Sequence, residues 1–224
     1  NDAMATLLDQ VLPGGVDGMV ASTLVGSSGG NLIYLRELVT GLRDSGVLTR
    51  SHGHWTLTGP VTPPPRLSEL IEQRLASLGE PARRLLDAVA LGEPLGIHSL
   101  EASGQWELAQ ELLDAGLVDY VEHGRRRQLR AKHPLHVEVA RSTMSEPYRR
   151  TTLDGLAEAL EQVGCRRRDD ARRLATWRLD AGRPADPQVL VDAAREALWG
   201  TDVAMCERFS RTVLEVDGLD GEVR

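Results

Sequence analysis

The chain has 224 residues, 41% hydrophobic and 26% charged, an ordinary globular composition with apolar material for two or three small cores. A formal net charge of -7 argues against wholesale coating of nucleic acid, although charge can still be unevenly spread. No apolar run approaches the roughly 20 residues that a membrane span needs, and Cys165 and Cys206 are too few for a disulfide framework and lack metal-ligand spacing.

Lys132 is the single lysine among 26 basic residues, a bias that reads as GC-rich coding rather than a demand for guanidinium groups. No secretory pattern of basic start, apolar middle and small-residue cleavage site is visible. With two reduced cysteines, the expected location is cytoplasmic, with no membrane partner.

Residues 5–12 have helical spacing and stop at Pro13-Gly14-Gly15. A second helix is expected from Val16 to Val25 and a third from about Leu32 to Asp44, ended by Gly46. Gly29-Gly30 makes a glycine-paired turn that feeds the third helix through Asn31. Small residues there let the backbone approach something closely, and the first N–H groups of the helix favour an anion. Val47-Leu48-Thr49 and Trp55-Thr56-Leu57 alternate around Ser51-His52-Gly53-His54 and predict a β-hairpin. Pro60 and the run Pro63-Pro64-Pro65 predict a stiff extended linker, because consecutive prolines forbid both helix and ladder. This places a boundary between residues 1–60 and 61–145.

Beyond the linker, Leu67, Leu70, Ile71, Leu75 and Leu78 share one helix face, and Leu85, Leu86, Val89 and Ala90 share another. Pro81 suits the first turn of that second helix. A short helix near His98–Ser103 precedes one over Trp106–Ala115, where Gly116 supplies a left-handed C-terminal cap. Leu117–Val121 and Gln128–Lys132 read as two strands joined by Glu122-His123-Gly124-Arg125-Arg126-Arg127. Helices followed by a two-stranded wing predict a winged helix, and Pro134 then opens a helix to about Met144. From Glu146 onward the pattern is helical, roughly 147–163, 169–182, 187–199 and 202–215, with short turns at Gly164, Gly182-Arg183-Pro184 and Gly200-Thr201-Asp202. Antiparallel hairpins of this kind predict a tetratricopeptide-like array over 146–224, and a stop just after Gly218 suggests an array cut short rather than capped.

The stretch Gly30-Asn31-Leu32-Ile33-Tyr34-Leu35-Arg36-Glu37-Leu38 resembles the motif that closes the ATPase module of LuxR-type large ATP-binding transcriptional regulators, members of the signal-transduction ATPases with numerous domains. Further stations are Trp55-Thr56-Leu57, Arg66–Ile71, Arg83–Asp87, Gly92–Gly96, Lys132-His133-Pro134-Leu135 and Ala175–Gly182. The resemblance lies in their order and spacing, since no single station is specific. It implies a mainly α chain: a helical lid remnant with β-hairpin (1–60), a winged-helix domain (61–145) and the start of a tetratricopeptide-like array (146–224). It further implies an upstream ATPase core on the same polypeptide that binds ATP or ADP, an inducer or protein partner on the helical repeats, and DNA bound through a separate C-terminal domain. This segment has no Gly-x-x-x-x-Gly-Lys-Ser/Thr, so no bound cofactor and no catalysis are expected of it alone. Leu32 stands where the family usually has proline, which restores an N–H donor and frees φ.

His133 is the sharpest site candidate: it ends the second wing strand and precedes Pro134 at the first helical position. The resemblance implies a sensor that contacts the β-phosphate of bound ADP, with Gly30 and Asn31 as the nucleotide-side turn. The plainer alternative is a capping or core-edge histidine with a satisfied hydrogen bond. Arg125, Arg126, Arg127 and Arg130, with Lys132, make a basic wing able to lie on DNA phosphates, or else a solvated tip or docking surface. Arg166-Arg167-Arg168 against Asp169-Asp170 reads as helix-dipole complementation. His133, His136 and Glu138 fall short of the three or four convergent ligands of a metal site, so no metal is expected. Trp55, Trp106, Trp177 and Trp199 read as core or inter-helix anchors.

Overall fold

The computed structural model describes residues 8, 10–51, 53–102, 104–123, 126–165 and 169–216. The protein is mainly helical with two small antiparallel sheets. It forms two compact units, residues 1–143 and 144–224, so the segment up to residue 60 shares one unit with residues 61–143.

In the first unit, helix α1 (Gly18–Ser28) opens at Asp17, whose carboxylate accepts from the Met19 N–H at 2.8 Å. It closes at Gly29, left-handed at φ 56°. Helix α2 (Leu32–Asp44) starts at Asn31, whose side-chain oxygen accepts from the N–H groups of Ile33 and Tyr34 at 3.0 and 3.2 Å. Tyr34, Leu35, Leu38, Val39 and Leu42 recur at three- and four-residue spacing, and all five are buried. The hairpin β1 (Leu48–Ser51) and β2 (His54–Leu57) pairs Leu48 with Leu57 and Arg50 with Trp55. Arg43 lays its guanidinium 5.3 Å above the Trp55 ring, tying α2 to the hairpin.

The proline run is not a free spacer. Pro64 packs on Gly41 of α2 so closely that a β-carbon there would lie 2.1 Å from Pro64 Cγ. Pro65 then opens helix α3 (Pro65–Ala76), a position that needs no backbone N–H, and Leu67, Ile71 and Leu75 are fully buried. These contacts join the proline segment to both neighbours.

Helix α4 (Glu80–Gly92) is followed by a strand that no periodicity discloses, β3 (Leu95–Gly96), which pairs with β5. Two residues are too few to carry an alternating pattern. Helices α5 (Ile97–Ala102) and α6 (Trp106–Asp114) lead to β4 (Val118–His123) and β5 (Arg126–Ala131), paired from Val118↔Ala131 to His123↔Arg126. Gly116 is left-handed at φ 64°, as its place after α6 predicts. The sheet order is β3-β5-β4, three strands rather than two. Helix α7 (Pro134–Thr143) completes the unit, its Arg141 Nε donating to the Ala90 carbonyl of α4 at 2.6 Å.

The second unit is helical throughout its described residues: α8 (Glu146–Val163), α9 (Asp170–Asp180), α10 (Pro187–Trp199) and α11 (Val203–Val216). Ser145 and Asp186 cap α8 and α10, which carry Pro147 and Pro187 in their first turns. Ala175, Leu190, Ala193, Ala197 and Phe209 form the core, small residues around the chain's single phenylalanine. Arg178 of α9 reaches two carboxylates of α8, bonding Asp154 and lying 2.5 Å from Glu161 Oε2, while Arg183 meets Asp154 at 3.0 Å.

Candidate functional site

The site candidates named from sequence meet where the turn between α1 and α2 faces the start of α7. Gly29 has a positive φ and lies directly under the His133 ring, so a β-carbon on Gly29 would come within 2.0 Å of His133 Nδ1. Only glycine meets both demands at once. Gly30 is also left-handed, at φ 81°, but open space surrounds its α-carbon. Gly29 therefore makes the close approach, while Gly30 serves the shape of the turn.

Asn31 spends its side-chain oxygen on capping α2. Two of the helix-start N–H donors that an anion would use are thus already satisfied, which weakens the expectation of a helix-terminus anion site. Beside the turn, Leu32 and Ile33 are 45% and 65% exposed.

Two residues not assigned to the site by sequence complete it. Tyr34, one turn into α2, places its Oη 3.1 Å from Nε2 of His136, one turn into α7. The rings of Tyr34, His133 and His136 stand edge to face, with centroids 5.0–6.0 Å apart. His136 is fully buried and Tyr34 nearly so. A polar ring on the apolar face formed by Leu135, Val139 and Ala140 is the available signal for His136. Nothing local points to Tyr34, whose partner is 102 residues away.

Burial makes both imidazoles reluctant to charge. It pushes His136 down to about 4, aided by His133 and Arg74. His133 is also lowered, first by burial, then by Lys132 and Arg74, against the opposing pull of Asp119 and the Gly29 carbonyl. Nδ1 of each ring is buried and makes no hydrogen bond of normal geometry among the described residues. At neutral pH the cluster is an uncharged aromatic and imidazole contact, able to offer a neutral donor or acceptor to a bound group.

His133 and His136 stand edge to face rather than converging on one point, and Glu138 is exposed. Among the described residues no three His, Cys, Asp or Glu side chains gather closely enough to hold a metal.

In the wing, Arg125 and the side chain of Arg126 lie outside the described residues, as does Arg166-Arg167-Arg168. Arg127 is 3.2 Å from Glu101, Lys132 is 3.6 Å from Asp119, and Arg130 is exposed. The first two cations are engaged within the chain, though surface pairs of this kind break at little cost. The tryptophans divide: Trp177 is buried under Arg173, whereas Trp199 is 64% exposed and does not anchor the core.

No helix among the described residues is long and apolar enough to cross a membrane. No protein-family model matches the chain, and no curated protein or solved structure is significantly similar to it.

Proposed function

We propose that this chain is a regulatory segment of an ATP-dependent bacterial transcriptional regulator of the LuxR-type large ATP-binding kind. Its role is to couple nucleotide state to domain rearrangement. In this reading residues 61–143 are a winged-helix domain and residues 144–224 begin a tetratricopeptide-like array that receives an inducer or protein partner. ATP or ADP is held by an upstream ATPase core of the same polypeptide, and DNA is bound through a separate C-terminal domain.

One observation carries the reading: the His133 ring lies on Gly29, at the turn that continues through Gly30 and Asn31. A diphosphate held along that turn meets His133 only while α7 is docked there. Contact with the ligand then exists in one domain arrangement and not another, which is what a nucleotide sensor requires. The exposed Leu32 and Ile33 supply an apolar surface beside the turn for the ATPase core to cover.

The test is calorimetric titration of ADP into the polypeptide that carries the ATPase core. His133→Ala is expected to weaken ADP at least about tenfold, the equivalent of about 1.4 kcal/mol. Equal affinities would remove His133 from the mechanism.

A second reading, a helical scaffold that binds a protein partner, is favoured by Leu198, Trp199 and Val203, exposed by 60%, 64% and 70% around one turn of the second unit. Retention of a partner by residues 146–224 alone, with release by Trp199→Ser, would favour it over the first.

A further inference from the structure

The contacts around the turn close on themselves. Asn31 accepts from the backbone N–H of Tyr34 at 3.2 Å. Tyr34 Oη meets His136 Nε2 at 3.1 Å. The backbone N–H of His136 donates to the backbone carbonyl of His133 at 3.0 Å, and the His133 ring packs on Gly29, two residues before Asn31. The His133 ring also stands edge to face with the rings of Tyr34 and His136, so its place on Gly29 is coupled to theirs. Among the described residues, the Tyr34–His136 bond is the one side-chain hydrogen bond between α2 and α7.

We propose that the Tyr34–His136 hydrogen bond is a latch that holds α2 on α7 and the His133 ring on Gly29, and that adding a proton to His136 opens it. The latch is a property of this chain alone and holds whether or not His133 senses a nucleotide. Tyr34 and His136 are positioning residues: they act on the turn through His133 and Asn31.

The surroundings of His136 explain why a proton opens the latch rather than strengthening it. The ring is fully buried, and the groups that act on its charge are His133, at the start of its own helix, and Arg74 of α3. Neither stabilises an imidazolium. From α2 it faces the neutral phenol of Tyr34. Helix α1 carries no titratable residue, and the Arg83–Asp87 pair of α4 meets α7 at Thr143, two turns away. On β5 and its end, Arg130 is exposed and Lys132 is engaged with Asp119. No carboxylate faces the ring from these groups, so a charged His136 must reach water, and it can do so only by separating α7 from α2.

The experiment is amide hydrogen exchange on the 224-residue chain, with wild type, Tyr34→Phe and His136→Gln compared at neutral and acid pH. In Tyr34→Phe at neutral pH, amides of residues 33–38 are expected to exchange at least about tenfold faster than in wild type, while residues 190–198 of the second unit serve as the unchanged control. His136→Gln keeps a donor within reach of Tyr34 but cannot titrate. It should stay within about threefold of wild type at neutral pH and, unlike wild type, show no further opening after correction for intrinsic rates at about pH 4.5. Equal protection in Tyr34→Phe and wild type would overturn the latch. An acid opening of His136→Gln equal to that of wild type would overturn the proton's role. A wild-type measurement guards against a variant that fails to fold: the imidazole nitrogen resonances of His136 must titrate together with the loss of protection. Titration of His136 without that loss would also overturn the proposal.

Discussion

The two units solve the same problem, joining helices through polar side chains, in opposite ways. The first places a phenol, one buried imidazole and one half-buried imidazole between α2 and α7, with a nitrogen of each imidazole lacking a normal hydrogen bond. The second keeps full charges at its edge, where Arg178 bridges Asp154 and Glu161, and Arg208 meets Asp180 at 2.6 Å. A buried neutral cluster depends on geometry and on protons, because water cannot repair a fault in it. An edge network depends on salt, and water replaces whatever is removed. The difference predicts which perturbations each unit feels.

The largest effect should come from breaking the close approach in the first unit. In Gly29→Ala the new methyl meets the His133 ring and the residue must hold φ 56°. The left-handed backbone costs about 1–2 kcal/mol and the overpacking about 1–3, so a loss of about 2–5 kcal/mol is expected. Urea denaturation coupled to exchange of first-unit amides measures it. A change below about 0.5 kcal/mol would mean that the imidazole swings away freely and the ring of contacts is loose.

Acid should come next, and it separates the units by pH window and size. His136 has a folded pKa of about 4 against an ordinary value of 6.5, so the unfolded chain takes its proton first as pH falls. Stability from the neutral ring is therefore full above about pH 6.5, declines between there and about 4, and then levels off. The lowered pKa of His133 acts in the same direction. At about pH 4.5 the first unit should lose about 2–3 kcal/mol. In the second unit the exposed carboxylate of Glu146 is lowered by its bonds to Arg149 and then Arg150, so whatever it contributes is lost only as pH falls below the ordinary carboxylate range. A first unit as stable at pH 4.5 as at pH 7, by chemical denaturation, would contradict the burial of His136.

Much of this architecture is legible in the residues, and the legible parts share a cause. Helix α2 begins at Asn31 and α10 begins at Pro187 after Asp186, because a capping side chain and a proline announce a helix start locally. The strands of the wing run for six residues each, long enough to show their period. The hidden parts are not local. The strand at Leu95 and Gly96 exists only through its pairing with β5. Gly29 reads as half of a glycine pair, but its companion in space, the His133 ring, belongs to the start of a different helix. His136 reads in the sequence only beside His133, as a metal candidate, although a polar ring on an apolar helix face marks it. Its partner Tyr34 lies 102 residues away, and no spacing rule connects them.

In the second unit a smaller loss is expected from Arg178→Ala. The guanidinium side chain is 15% exposed and holds two carboxylates, so its removal leaves Asp154 with Arg183 and gives Glu161 to water. Hydrogen bonds to charged groups are worth about 1.5–3 kcal/mol, and partial exposure brings the expected cost to about 1–2. About 1 M salt should shrink that difference, whereas the cost of Gly29→Ala should hardly change with salt. Equal salt dependence in the two variants would erase the contrast between the units.

The smallest effect belongs to the wing and marks the lower limit of the comparison. Arg127 and Glu101 form a single surface pair, their side chains 50% and 37% exposed and their atoms 3.2 Å apart. Such a pair is worth about 0–1 kcal/mol, so Arg127→Ala should leave the stability of the first unit unchanged within about 0.5 kcal/mol. The same variant tests the wing as a DNA contact. If the wing lies on phosphates, freeing Arg127 from Glu101 is cheap, and deleting it should flatten the salt dependence of duplex binding by about one unit of log K against log salt. A gel shift at low salt that is absent in wild type, or that Arg127→Ala leaves unaltered, would show that Arg127 has no part in holding DNA. The ion pair would then be a surface contact with no consequence beyond the hairpin it borders.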